Sequence, residues 1–249
     1  HLAKDVELKD VTDDYCVFGV FGPKSRALMK SISKDNFEND NFRFSTAKYI
    51  TIEGIKIWTQ RLSYVGELGY ELYVKSEDAK KIYELLVNKG KDFNLSNCGM
   101  HAMDIMRMES GFLHWGHDIS PEENQYQAGL SFTISSKKED EFIGKKALEK
   151  IKKEKIKSRF AMFTLKDSKP GEPLLLHDEP IYLENKIIGR STSGNYSFNF
   201  RKNLAFGYIN NDISNDELHK KDLFIEIEKK KYPIELINKP LKQTNFKNN

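Results

Sequence analysis

At 249 residues, with 39% of them hydrophobic, the chain is long enough to form one large or two ordinary globular domains. The 40 Lys and Arg residues nearly balance the 37 Asp and Glu residues, and the two signs are interleaved, which argues against a nucleic-acid-binding protein. No apolar run approaches the ~18 residues that a membrane span requires, so we expect no membrane association.

The N-terminal part of the sequence predicts strands followed by helices. Residues 17–21 predict a strand, which a turn joins to a helix over residues 23–32. Residues 48–61 alternate in polarity around a central turn, which predicts a hairpin. Residues 76–90 predict a second helix, with Ser76 as its N-cap. This order favours an α+β layer with a largely antiparallel sheet.

Residues 64–73 place one carboxylate between two glycines at the start of a predicted strand. Gly66 and Gly69 permit a bend at which Glu67 faces a cavity. The alternative is a bulge in an edge strand that leaves the carboxylate in solvent. From Tyr70 onward, every second side chain is expected on the buried face of the strand.

A third helix is predicted over residues 98–109. Its apolar residues surround almost the whole circumference, so we expect it to be buried. Arg107 interrupts this pattern, since it follows Met103 by four positions and so lies on a methionine-lined stripe. It either pairs with Asp104, three residues earlier, or binds an anionic or planar polar partner.

Residues 112–121 predict a loop or tight hairpin that is rich in chemically active side chains. The loop holds His114, His117 and Asp118, but no further His or Cys lies close by in the sequence, so no metal site is predicted. We expect Asp118 to accept hydrogen bonds from backbone amides in a corner where Trp115 packs. The alternative is that this loop forms one wall of a ligand pocket.

The C-terminal part of the sequence predicts a small β domain. A helix that begins within residues 142–148 runs into a lysine-rich segment, so we predict two domains, residues 1–157 and 158–249. Short strands separated by turns are predicted at residues 160–165, 180–183, 186–192, 204–209, 223–228 and 232–237. Regular short strands favour a barrel or sandwich. The predicted fold class is α+β, an antiparallel-sheet and helix domain followed by a small C-terminal β-barrel.

Several motifs occur in the order in which one family has them. Residues 63–72 (SYVGELGYEL), 106–112 (MRMESGF) and 114–119 (HWGHDI) resemble the aminomethyltransferase family, the T-protein of glycine cleavage. The resemblance continues through QAGL at 127–130, FIGK at 142–145, GRSTSGNY at 189–196 and AFGY at 205–208. The HWGHDI form and the barrel sequence look most like the folate-binding C-terminal region of dimethylglycine and sarcosine dehydrogenases.

The resemblance implies tetrahydrofolate as the ligand. Glu67 matches the family's pterin-binding glutamate, and one carboxylate can accept the adjacent N–H donors of an aminopyrimidinone edge. Such charge-assisted bonds contribute about 1.5–3 kcal/mol each where water is excluded. Arg107 matches a family arginine at the folate site. The aromatic residues that are candidates to wall the ring, with an ordinary core role as the alternative, are Tyr64, Tyr70, Trp115 and Tyr196.

The chemistry that the resemblance implies is one-carbon transfer. A small N-methylated amine is oxidised to its iminium or methylene adduct, and folate captures the carbon as 5,10-methylenetetrahydrofolate. In the dehydrogenase relatives a separate upstream flavin domain performs the oxidation. FAD is expected only on such a domain, because this sequence has no Gly-x-Gly-x-x-Gly fingerprint.

Three alternatives to this function stay open. The first is a free-standing aminomethyltransferase, and the second is a folate-dependent demethylase that moves a methyl group onto tetrahydrofolate. The third is a non-catalytic folate-binding module, as in the iron–sulfur branch of the superfamily. That branch carries a reactive Cys near residues 142–146, where this sequence has none.

The sequence departs from the family near its start. The family's catalytic aspartate follows a Gly-Gly segment in an Asp-Asp pair, and Asp13-Asp14 lacks those glycines, so no catalytic residue is assigned. Because the chain begins at His1 without Met, we expect an incomplete N-terminal domain, and a chain that is inactive alone. Cys16 and Cys98 form neither a CxxC nor a metal-ligand pattern, so we expect the reducing cytoplasm or, in a eukaryote, the mitochondrial matrix.

Overall fold

A computed structural model describes residues 6–135 and 141–243 of the chain. The described residues form two compact units, of which the first ends at Gly99 and the second covers Met100–Gln243. The predicted domain boundary after residue 157 lies further along the chain than this division. Within the described ranges, no helix is long and apolar enough to cross a membrane.

The first unit is an antiparallel four-stranded sheet with two helices, as the α+β prediction requires. Its strands are β1 (Tyr15–Phe21), β2 (Ala47–Ile52), β3 (Ile55–Gln60) and β4 (Gly69–Lys75). Its helices are α1 (Ser25–Ile32) and α2 (Ser76–Gly90). The strands lie in the order β1-β4-β3-β2. The predicted hairpin is confirmed as β2 and β3, because Glu53 and Gly54 both adopt the positive φ angles, 50° and 79°, of a tight hairpin turn.

Strand β4 lies in the middle of this sheet, paired with β1 on one side and β3 on the other. The alternative that placed Glu67 at an edge strand is therefore wrong. The predicted alternation is confirmed, since Tyr70, Leu72 and Val74 are each 0% exposed. This apolar face packs in one core with residues of both helices, among them Met29 of α1.

Helix α2 has the predicted bounds but not the predicted cap. Ser76 is the first helical residue, and the N-cap position belongs to Lys75, which makes no side-chain capping bond. The Ser76 hydroxyl instead donates to the backbone carbonyl of Asp13 at 2.9 Å. The side chain thus fastens the helix to the segment before β1, a long-range partner that no local pattern indicates.

The second unit is built on a six-stranded barrel. Its strands are β5 (Ser158–Leu165), β6 (Pro180–Leu183), β7 (Lys186–Ser197), β8 (Lys202–Asn210), β9 (Leu223–Ile227) and β10 (Lys230–Ile237). They close in the order β10-β5-β8-β7-β6-β9, so all six predicted strands and the barrel are confirmed. The helices of this unit are α3 (Met100–Glu109), α4 (Lys145–Lys153) and α5 (Asn215–Lys220). Helix α5 has no counterpart in the sequence prediction.

Strands β7 and β8 approach each other closely at two glycines. A Cβ atom at Gly189 would lie 2.0 Å from the carbonyl oxygen of Tyr208, and one at Gly207 would lie 2.4 Å from that of Arg190. Both obstacles are backbone atoms, which cannot rotate away. The β7–β8 pair therefore has no space for larger residues at these positions, and it is this pair that carries the polar side chains described next.

Candidate functional site

Helix α3 carries a buried arginine in its last turn. The prediction that the helix is buried all round is wrong for its first turn, where Met100 is 67% exposed, whereas Arg107 is 1% exposed. Met108 packs with Phe206 of β8 in a small apolar cluster, and the Arg107 guanidinium carbon lies 5.4 Å from the Phe206 ring centroid. The C-terminal half of α3 is therefore the part that packs on the barrel.

The guanidinium of Arg107 has a protein acceptor at each of its nitrogens. Nε donates to Oδ1 of Asp104 at 2.9 Å, and Nη2 donates to Oγ of Ser193 at 2.8 Å. Nη1 donates to the carbonyl of Phe112 at 3.0 Å and to Oδ2 of Asp118. Both sequence alternatives are therefore realised, because Arg107 pairs with Asp104 in its own helix and with a second carboxylate outside it.

Asp118 is the centre of this network. Its Oδ2 also accepts from the backbone N–H of His114 at 2.9 Å, so the predicted hydrogen-bonded corner is confirmed. Its Oδ1 accepts from the hydroxyls of Thr192 and Ser193 in β7, at 2.6 and 2.8 Å. The prediction that Trp115 packs in this corner is wrong, because its side chain is 67% exposed.

Thr192 and Ser193 were missed as site residues. Both lie in the GRSTSGNY motif, but they follow Asp118 by 74 and 75 positions, so no local spacing connects them to it. The signal that was available is compositional, since three of the four residues 191–194 carry hydroxyls in a strand. Hydroxyls that are buried in a barrel strand need polar partners, and Asp118 supplies one.

A second buried carboxylate holds α3 on the same strand. Glu109 is 1% exposed and accepts from Oγ of Ser197 at 2.6 Å and from Nδ2 of Asn199 at 2.9 Å. Arg107 and Glu109 thus contact Ser193 and Ser197, which lie four residues apart on β7. These two anchors fix how α3 lies against the barrel.

A cavity of about 220 Å³ lies beside the Arg107 network. The imidazoles that line it are those of His101, His114, His117 and His177. The ring centroids of His114 and His117 are 4.6 Å apart. Burial lowers the pKa of His114, and the neighbouring His117 and Arg107 act in the same direction, so this imidazole favours its neutral form. In the described part of the chain, no group of His, Cys, Asp or Glu is arranged to hold a metal ion.

The first unit holds Glu67 in the predicted bend, between β3 and β4. Gly66 has a φ of 66°, which favours glycine, and the backbone N–H of Glu67 donates to Oγ of Ser63 at 3.0 Å. Gly69 is needed for space, since a Cβ there would lie 2.0 Å from Cδ1 of Phe21. The bend is thereby confirmed, and the carboxylate it carries is half-buried.

The aromatic candidates lie in different surroundings. Tyr64 is half-buried in the same bend as Glu67. Tyr70 is 0% exposed between Phe37 and Phe42, with ring centroids 5.4 and 5.6 Å away, which fits the core role left open by the sequence. Tyr196 is half-buried in β7, with its ring 5.1 Å from that of its neighbour Phe198. Their contact with a ligand stays a prediction, as it does for Glu67, Arg107 and Trp115.

Two family models match the sequence. The GCVT N-terminal domain matches residues 1–138, and the glycine cleavage T-protein C-terminal barrel domain matches residues 159–242. The chain belongs to the glycine cleavage T-protein family. The second match coincides with the barrel strands, and the first contains both the Glu67 bend and α3.

Relatives within the T-protein family include amine dehydrogenases and aminomethyltransferases. The chain is 34% identical over 238 residues to mitochondrial dimethylglycine dehydrogenase from Homo sapiens, covering 95% of this chain and 27% of that protein. It is 34% identical over 231 residues to 4-methylaminobutanoate oxidase (formaldehyde-forming) from Paenarthrobacter nicotinovorans, covering 93% of this chain and 27% of that protein. It is 31% identical over 245 residues to aminomethyltransferase from Alkaliphilus metalliredigens, covering 98% and 64%.

The fold of the T-protein family is also evident among solved structures. Glycine cleavage system aminomethyltransferase T from Bartonella henselae matches with a TM-score of 0.77 at 21% identity, over 92% of this chain and 60% of that one. The chain thus spans about a quarter of the length of the dehydrogenase and oxidase, and less than two thirds of the aminomethyltransferases. It is an aminomethyltransferase-type domain.

Proposed function

We propose that this chain is the tetrahydrofolate-binding part of a dimethylglycine or sarcosine dehydrogenase-like enzyme, which captures the carbon of an N-methylated amine as 5,10-methylenetetrahydrofolate. Similarity over more than nine tenths of the chain to two proteins named for methylated amines supports this proposal. The oxidation itself belongs to a flavin domain elsewhere in such a polypeptide.

The observation that carries the proposal is the geometry of Glu67. Its carboxylate is half-buried in a bend, and two glycines and the bond from its N–H to Ser63 hold the backbone there. A carboxylate has only acceptors, and these fit the adjacent N–H donors of a reduced pterin. Bound tetrahydrofolate supplies the nucleophilic nitrogens that receive the carbon. Glu67 orients that ring so that the nitrogens meet the incoming carbon.

The structure gives Arg107 a more constrained role than its position on a methionine-lined stripe suggested. All three of its nitrogens already have protein acceptors. A ligand must therefore displace one of these contacts to bind Arg107 directly. Otherwise Arg107 acts as a positioning residue that holds Asp104 and Asp118 in place.

Calorimetric titration of tetrahydrofolate into the full-length protein and its Glu67→Gln variant tests the proposal. Loss of a charge-assisted bond worth about 1.5–3 kcal/mol raises Kd about tenfold or more. Glu71→Gln is the matched control, since Glu71 lies in β4 and its only described side-chain bond is from Tyr73 at 3.2 Å. Unchanged affinity in Glu67→Gln shows that Glu67 does not hold the pterin, and absence of binding in wild type contradicts the function.

Product analysis separates the remaining functions. With dimethylglycine and tetrahydrofolate, the full-length protein is expected to form methylenetetrahydrofolate. Formation of methyltetrahydrofolate indicates the demethylase instead. Tight folate binding without either product indicates a non-catalytic binding module.

A further inference from the structure

Four of the six histidines in the sequence line one cavity of the second unit. His101 lies on α3, His114 and His117 lie in the loop that follows it, and His177 lies just before β6. The His117 and His177 ring centroids are 6.4 Å apart. Three separate segments thus bring imidazoles around a space of about 220 Å³, and nothing in the folate proposal uses them.

The fixed charges around this cavity leave it negative. Arg107 lies between Asp104 and Asp118, so one guanidinium faces two carboxylates. Behind His177, Asp178 pairs with Arg190, and those two charges cancel. Apart from the imidazoles, the surroundings of the cavity therefore carry one net negative charge.

Asp104 presents this charge at the cavity wall. Its side chain is 29% exposed, whereas that of Asp118 is 0% exposed and lies out of reach of a ligand. Both contacts of Asp104 with Arg107 involve Oδ1. Within residues 6–135 and 141–243, no donor contacts Oδ2, so this oxygen can accept a further hydrogen bond.

We propose that the cavity binds the cationic nitrogen of a small methylated amine, with Asp104 as its counter-ion. The identity of the amine rests on the proposed function, while the site itself rests on the geometry. An ammonium group offers N–H donors, and Oδ2 of Asp104 and the unprotonated nitrogen of an imidazole are acceptors. An organic cation fits better than a metal ion, since the described ligating groups have no metal-binding arrangement.

Titration of dimethylammonium chloride into the folate-free, full-length protein tests the site. Changes in the NMR signals of the four histidine rings report binding. Asp104→Asn keeps an acceptor for Arg107 but removes the charge, and we expect Kd to rise about tenfold, as for loss of one charge-assisted bond. Asp216→Asn, in the first turn of α5, is the matched control and should bind as wild type does.

A second variant guards against a folding defect in Asp104→Asn. His117 is exposed, so His117→Leu should fold normally, and it removes one acceptor and should also weaken binding. The proposal is overturned if dimethylammonium leaves the histidine signals unchanged, if both variants bind it as wild type does, or if acetate binds the site more tightly. Because folate is absent, these outcomes are independent of the Glu67 experiment.

Discussion

Arg107 and Asp118 form an ion pair in which both side chains are buried, with 1% and 0% of their surfaces exposed. The two residues come from the last turn of α3 and from the loop behind it. Their other bonds reach Ser193 and Thr192 of β7. A single pair thus connects the helix, the loop and the barrel strand around the histidine-lined cavity.

Removing one member of this pair should destabilise the second unit strongly. Asp118→Ala leaves the Arg107 charge buried with one carboxylate fewer, and it also removes the acceptor of Thr192. We expect a loss of about 3–5 kcal/mol in the free energy of unfolding, measured by urea denaturation. The control is Asp212→Ala, which breaks an exposed ion pair: the side chain of Asp212 is 63% exposed and that of its partner Lys155 is 77% exposed. This change should lower the free energy of unfolding by at most about 1 kcal/mol. Similar losses in both variants would contradict the importance of burial.

The close approach of β7 and β8 makes a second prediction. Gly189→Ala places a Cβ 2.0 Å from the carbonyl oxygen of Tyr208, so the strands must separate. Overpacking of this kind costs about 1–3 kcal/mol or more. Gly99→Ala is the control, because it has open space and no positive φ, and its effect should stay within about 0.5 kcal/mol. Thermal unfolding of both variants measures the difference in their stability. Equal unfolding midpoints would show that the barrel can accommodate the added methyl group at residue 189.

Local patterns account for the parts of the fold that the sequence predicts well. The hairpin at Glu53-Gly54 follows from a turn signal between alternating residues, and the burial of Tyr70 follows from strand periodicity. The N-cap at Ser76 was also predicted from local sequence, yet the Ser76 hydroxyl donates to the carbonyl of Asp13, 63 residues away. The partner of such a side chain depends on residues that are distant in the sequence, and a local sequence pattern does not reveal those residues.

The candidate site shows the same division. The i,i+3 pair of Arg107 with Asp104 is visible in the sequence, as is the turn-forming character of Asp118. That Arg107 and Asp118 bind each other, and that β7 hydroxyls complete the network, depends on the packing of α3 on the barrel. The family resemblance pointed to the segments that hold these residues, whereas their partners are seen only in the structure.

Tyr208 should make the stability of the barrel depend on pH in the alkaline range. Its hydroxyl donates to the carbonyl of Asp118 at 2.9 Å. Burial raises the pKa of Tyr208 well above its ordinary value, and the negative charges of Glu123 and Asp118 add to this. Because the pKa of Tyr208 is higher in the folded state than in the unfolded state, the protonated side chain stabilises the folded protein. This stabilisation is complete below the ordinary tyrosine pKa of about 10 and is lost as the pH rises above that value.

Comparison of wild type with Tyr208→Phe measures this dependence. At about pH 8 the variant should lose about 1 kcal/mol, the value of one hydrogen bond. The difference should shrink above about pH 10, where the unfolded wild-type chain gains stability by ionising its tyrosine. Urea denaturation at both pH values provides the free energies. A difference that stays constant with pH would show that Tyr208 ionises equally in both states.

Dimethylammonium binding in the histidine-lined cavity should weaken in acid. The charges that face the imidazoles of this cavity are those of Asp104, Arg107, Asp118, Asp178 and Arg190. When His114 takes up a proton, its imidazolium repels a bound cation. Because burial lowers the pKa of His114, this imidazole stays neutral to lower pH than an ordinary histidine, and the loss of affinity should begin below about pH 6.5.

The measurement is the dimethylammonium Kd between about pH 7 and about pH 5, with His114→Gln as the informative variant. Glutamine keeps an acceptor but cannot take up a proton in this range, so the variant should show a shallower loss of affinity on acidification. Asp216→Asn should follow the wild-type curve, since its charge lies on α5. Affinity for the cation that rises as the pH falls would mean that His114 does not face the bound nitrogen, because protonation of this imidazole can only oppose a cation bound beside it.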